Sequence, residues 1–245
     1  MSLQILEKHR DIWQSKKILQ DIYLYWYKQI RAQCVVSGPS LEIGGGGGNL
    51  KESFPNLISS DYTLCPWLDL NLDAHALPFR SETLSNIIVI DVLHHLNRPL
   101  AFLEEAQRVL KKNGRLIMLE PCVTLGSSFV YRLLHQEDVD FGVDVFQEDG
   151  WEQGDAKNPF DGNMAIPTAL FLRNSEQLAA RFPDFPVILK NYSDYFVYPL
   201  SGGFDHVALI PRSCLPFCRE IERLLHPLGS LLAYRMLVVM ENSCG

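Results

Sequence analysis

The chain has 245 residues, 47% of them hydrophobic, and a formal net charge of −7. That is enough apolar material for one substantial core, while the acidic balance argues against a broad basic surface for nucleic acid. No run approaches the roughly 18 apolar residues of a membrane span, and the charged start (Glu7, Lys8, Arg10, Asp11) is unlike a signal peptide, so a cytoplasmic protein without membrane contact is expected.

Leu, Ile, Trp and Tyr recur at three and four over residues 4–33, which predicts one or two amphipathic helices. The cluster Tyr23, Tyr25, Trp26 and Tyr27 covers more than one helix face, so part of it packs on a sheet or caps a site. Ser37-Gly38-Pro39-Ser40 then breaks the helix. Leu41-Glu42-Ile43 followed by Gly44 to Gly48 reads as a buried strand ending in a tight turn before a helix. Such a turn lets a ligand approach the backbone closely, because glycine carries no Cβ. The dinucleotide spacing fails here: the sixth place is Asn49 counted from Gly44 and Leu50 counted from Gly45.

Asn56 to Asp61 reads as a second strand with an acid at its carboxyl end, where ligands bind in open α/β sheets. Leu68 to Leu72 alternates as a short strand, and Asp73-Ala74-x-x-Leu77-Pro78-Phe79 follows as a loop. Asn86 to Leu93 is a β-branched apolar run suited to a central strand buried on both faces, and it leads into His94-His95. Residues 98–111 are predicted helical, and Arg115 to Leu119 form a fifth strand closed by Glu120-Pro121.

From 122 to 185 the regular pattern dissolves into an acidic stretch (Glu137, Asp138, Asp140, Asp144, Glu148, Asp149, Glu152, Asp155) interleaved with Phe141, Val145, Phe146 and Trp151. A lid and substrate wall are expected there, with a short capped helix from Ser175 to Phe182. The last sixty residues read as a strand (Val187 to Tyr198), a glycine turn, a helix (Ser213 to His226) and a closing strand (Leu232 to Met240). Tyr195, Tyr198, Phe204 and Ser201-Gly202-Gly203 are candidates for the substrate side. The six cysteines show no zinc spacing and read as buried thiols.

Glu42-x-Gly44-x-Gly46-x-Gly48, together with the Asp73-Ala74 segment and the Leu93-His94-His95 turn, resembles the class I S-adenosylmethionine-dependent methyltransferases, specifically their small-molecule, type 11-like members. The resemblance covers residues 41–121. It implies an α/β fold: a Rossmann-like, doubly wound, seven-stranded sheet, mostly parallel with an antiparallel C-terminal strand. It also implies a single methyltransferase domain over 1–245: helical cap 1–36, cofactor core 37–121, lid or substrate insertion 122–185, and C-terminal strands and helix 186–245. S-adenosyl-L-methionine would be held by Glu42, Gly44, Gly46, Gly48, Asp61, Tyr62, Asp73, Ala74 and Asp91. Asp61 would meet the ribose hydroxyls, Asp73 and Ala74 would meet adenine, and Glu42 and Asp91 would favour the cationic donor. The expected acceptor is a small molecule methylated at oxygen, a sugar or another biosynthetic intermediate, with His94 and His95 as candidate bases and no metal. The alternative is a catalytically silent cofactor-binding partner. One departure stands out: a dozen residues separate Asp61 from Asp73, too few for the family's usual helix, so Tyr62 to Trp67 would have to cover the adenine side.

Overall fold

In this computed structural model, which describes residues 2–35, 37–54, 56–134, 137–148, 150 and 161–244, the first apolar pattern forms two helices. They are α1 (Ser2–Ser15) and α2 (Lys17–Gln33). Ile18, Leu19, Ile22, Trp26 and Ile30 fall on one stripe of α2, and all are buried. That stripe packs on Ile88, Ile117 and Val239 of the sheet.

The sheet begins with β1 (Ser40–Ile43), β2 (Leu57–Asp61), β3 (Leu70–Asn71) and β4 (Leu84–Ile90). Helix α3 (Pro99–Val109) returns the chain to β5 (Leu110–Pro121). Then come α4 (Leu125–Leu134), the turn α5 (Ile166–Thr168) continued by a wide helical turn over Ala169–Arg173, and α6 (Ser175–Arg181). The end is built from β6 (Val187–Ser193), α7 (Val197–Ser201), α8 (Leu215–Leu225), α9 (Gly229–Leu232) and β7 (Arg235–Glu241).

The strand order is β3-β2-β1-β4-β5-β7-β6. Strands β1 to β5 are parallel, and β7 runs antiparallel to both of its neighbours. This is the expected Rossmann-like, doubly wound α/β sheet. Its central strands are apolar on both faces, so each face needs its own helical cover. On one face Ile87, Val89 and Met118 pack with Phe102 and Leu103 of α3 and Leu178 of α6. On the other, Ile88 and Ile117 pack with α2 and with Leu215 and Cys218 of α8.

Several elements differ from the sequence reading, each for a local reason. No full helix follows the glycines: a single 3-10 turn, Leu50–Glu52, spans the gap. Pro55 arrives too soon for more, since a proline disfavours helical backbone in the residue before it. The strand predicted from Val187 to Tyr198 ends at Ser193, because Asp194 takes a left-handed φ of 52° and turns the chain. Residues 125–134 and 166–173 are helical where no pattern was read. In α4, Gly126, Ser127 and Ser128 are weak helix formers, and the first turn is held by Thr124 and Ser127, whose side chains bond back to the backbone of 122–124 and of Ala233. Phe141, Val143, Val145 and Phe146 of the acidic stretch pack on the core. Asp149, Trp151, Glu152 and Asp155 lie outside the described residues. No helix among the described residues is long and apolar enough to cross a membrane.

Candidate cofactor and active site

The parallel strands place the ends of β1, β2 and β4 side by side, with the glycine bend above them. Gly44 and Gly46 have φ of +71° and +46°, which side chains rarely adopt. A Cβ on Gly44 would fall 2.1 Å from Val92 Cγ2, so the bend and the turn after β4 touch only because this residue is glycine. Gly45 N–H donates to the Ser60 carbonyl (2.8 Å), and Gly46 N–H donates to Asp61 Oδ2 (3.0 Å). The Trp67 indole donates to the Gly46 carbonyl (2.8 Å), and Arg10 of α1 lies 4.3 Å over the Trp67 ring. Trp67 and α1 thus roof the bend where a longer crossover helix is absent. A cleft of about 390 Å³ lies between α1, α2 and the outer side of the bend, lined by Arg10, Trp13, Lys17, Gly48 and Trp67 among others; none of Glu42, Asp61 and Asp73 lines it.

Glu42 and Asp61 sit against this bend. Glu42 is buried under Gly45, and its Oε2 has no hydrogen-bond partner. Burial, reinforced by Asp61 and Asp69, pushes its carboxyl up to about 8. Asp61 accepts from Gly46 through one oxygen and from Thr63 N–H (2.8 Å) through the other. Burial raises its carboxyl above the usual range, opposed by those backbone donors. Leu72 N–H bonds to the Asp61 carbonyl (3.1 Å), which brings Asp73 alongside. Asp73 Oδ1 holds the His75 N–H (2.8 Å) and ring (2.7 Å), Ala74 is buried, and Tyr62 is largely exposed.

Glu42 also sets a pH dependence. Its pKa in the folded chain lies above the 4.5 of the free side chain, so it stabilises the fold fully below 4.5, and that contribution is lost as pH rises through 8. Glu42→Gln fixes the neutral form. The variant's thermal stability should match the parent near pH 4.5 and exceed it increasingly up to pH 8, by at most about 1.4 kcal/mol per pH unit. Parallel melting curves across that range would overturn this assignment.

Asp91 follows β4 with a φ of 56°, a strained value for a side-chain-bearing residue and one often found at functional sites. Its carboxylate pairs with Arg235 at the start of β7. The Arg235 guanidinium is held between the rings of Trp26 (4.4 Å) and Tyr198 (4.5 Å), and Trp26 Nε1 donates to buried Asp194 (2.7 Å). The negative charge expected of Asp91 is therefore offset by a buried cation from a distant strand. Phe204 stacks on His9 and meets Tyr23 edge-on, while Tyr195 lies buried beside Glu222.

His94 and His95 form a one-turn 3-10 helix with Leu93. His94 Nδ1 is 2.8 Å from Glu120 Oε2, and its Nε2 is 3.1 Å from Glu137 Oε2. Burial alone would lower its pKa, but the two carboxylates outweigh burial and push it up to about 10. A histidine protonated and engaged at both nitrogens offers no lone pair for a proton. Burial and the charge of His94 lower His95 to about 4, so it is neutral. Glu120, fully buried, accepts from Val92 and Leu93 N–H (2.9 Å each) and so shapes this turn. Sequence reasoning gave no role to Arg235, Glu120 or Glu137. Only the carboxyl-end position of Glu120 could have flagged it.

Residues 63–118 match a family described as a methyltransferase domain. The chain has the fold of the class I methyltransferases. Solved methyltransferases share this architecture at low identity. An S-adenosylmethionine-dependent enzyme from Archaeoglobus fulgidus is 10% identical, with TM-score 0.57 over 91% of this chain and 94% of that one. The geranyl diphosphate C-methyltransferase of Streptomyces coelicolor, solved with Mg2+, geranyl diphosphate and S-adenosyl-L-homocysteine, is 11% identical, with TM-score 0.55 over 93% and 82%. A Thermotoga maritima S-adenosylmethionine-dependent methyltransferase is 13% identical, with TM-score 0.52 over the full length of both. No curated protein matches the chain. A methyltransferase domain implies S-adenosylmethionine or S-adenosylhomocysteine as ligand, and the residues at the bend fit one. The unpartnered, buried Glu42 Oε2 suits a ligand that brings a hydrogen-bond donor, and at Gly46 the Cβ position lies 3.5 Å from its nearest neighbour, Leu6, so the backbone there is open to close approach.

Proposed function

We propose that the protein transfers a methyl group from S-adenosyl-L-methionine to the oxygen of a small molecule, a sugar or another biosynthetic intermediate. The single observation that carries this reading is the meeting of the glycine bend with Asp61 and the orphaned Glu42 at the carboxyl ends of adjacent parallel strands. When bound, the cofactor supplies a methyl group on a sulfonium. Asp61 has an unused lone pair on each oxygen for vicinal ribose hydroxyls, Gly44, Gly46 and Gly48 hold the backbone in the bend along which the chain of the ligand lies, and Asp73 and Ala74 face adenine with Tyr62 beside them. Asp91, fixed by Arg235, borders the methyl position, and Trp26 and Tyr198 exclude water from it. Such alignment and water exclusion is the main demand of an in-line displacement and accounts for several kcal/mol of barrier lowering. His95, which is neutral, takes the proton an acceptor hydroxyl loses, while His94, protonated and engaged at both nitrogens, does not.

The test is release of S-adenosylhomocysteine across a panel of hydroxylated acceptors, with turnover as the expected result. Tight cofactor binding without turnover on any of them would overturn the reading in favour of a silent partner protein.

A further inference from the structure

We propose that His94, His95 and Glu137 form a binding site for a late first-row divalent cation such as zinc, with Glu120 behind them as the carboxylate that orients His94. His94 Nε2 stands 3.1 Å from Glu137 Oε2, and His95 Nε2 stands 4.0 Å from Glu137 Oε1. Ligand atoms each about 2.0–2.2 Å from a common ion are separated by roughly 3–4.2 Å. One such atom from each of the three residues lies within 4.8 Å of the other two.

The surroundings are those of a built metal site. Glu120 is immobilised by two backbone donors and holds the Nδ1 proton of His94, which turns the Nε2 lone pair toward Glu137. A metal-bound imidazole is oriented by a carboxylate on its far nitrogen in this way. Asn163 N–H donates to the His94 carbonyl (2.9 Å), while the Asn163 amide donates to the Asp140 carbonyl (2.7 Å). The segment carrying Glu137 is thereby tied to the histidine turn. Two imidazoles and a carboxylate favour zinc-like ions over magnesium or calcium, which prefer all-oxygen shells. Glu120 and Glu137 bring two negative charges, which one divalent ion balances. Without the ion, a proton on His94 occupies the same gap. Three protein ligands leave a fourth position open, and the His95 and Glu137 side chains are each 20% exposed, so water or an acceptor oxygen reaches it. That last role rests on the methyl-transfer reading; the binding does not.

Chelator-treated full-length protein titrated with Co2+ (visible absorption) and with Zn2+ (calorimetry) tests the site. One equivalent should bind, with a low-symmetry cobalt band. Affinity should fall more than about 100-fold in His95→Ala and in Glu137→Gln, both checked for folding by circular dichroism, and should be unchanged in His226→Ala. Absence of saturable binding, or binding that survives both substitutions, would overturn the proposal. Failure to release S-adenosylhomocysteine would count against the methyl-transfer reading and leave this titration standing.

Discussion

Asp61→Ala is expected to weaken S-adenosylmethionine binding at least tenfold. The carboxylate has two tasks in this fold. It fastens the bend by accepting Gly46 N–H at 3.0 Å and Thr63 N–H at 2.8 Å, and it presents its remaining lone pairs where the ribose hydroxyls are proposed to lie. A hydrogen bond to a charged group contributes about 1.5–3 kcal/mol, so losing even one ribose contact amounts to a tenfold change, and loosening of the bend adds to it. Asp61→Asn should fall in between, because its amide keeps one acceptor and points an N–H at a backbone N–H. Calorimetric titration with the cofactor measures the effect. An unchanged dissociation constant in the alanine variant would remove Asp61 from the cofactor site, whatever happens to its stability.

Glu222→Ala should cost about 3–5 kcal/mol of folding stability, a loss typical of breaking a buried charged network. The Glu222 side chain is only 5% exposed, yet Oε1 accepts three consecutive backbone N–H groups, from Tyr195 (2.8 Å), Phe196 (3.0 Å) and Val197 (2.9 Å). Oε2 pairs with Arg219 (2.8 Å). Truncation leaves three donors leading into α7 without their acceptor, two of them buried. Because α7 carries Tyr198 onto Arg235, the damage should reach the proposed methyl site as well. A melting temperature lowered by roughly 10 °C is the expected readout, at about 2–4 °C per kcal/mol for a chain of this size. Glu222→Gln, which keeps one carbonyl oxygen for those donors, should lose less. A shift under about 2 °C in the alanine variant would show that α7 is anchored by other contacts.

Local sequence was enough for the central strand and for the glycine bend. The β-branched run from Asn86 could only be a strand covered on both faces, because its apolar residues do not alternate. The glycines had to turn, and Asn56 to Asp61 read as a strand with its acid at the carboxyl end, as β2 has. The seven-stranded, mostly parallel sheet and the antiparallel last strand followed from the family resemblance of residues 41–121, and both formed.

Tertiary structure alone decided which charges meet. Asp91 is neutralised by Arg235, which lies at the start of the last strand, and His94 is gripped by Glu120 and by Glu137 from the acidic stretch expected to form a lid. The physical reason is common to all of these. Periodicity records how a residue relates to neighbours within a turn or two, whereas the partner of a buried charge is set by which strands lie side by side, and no pattern within one segment encodes that.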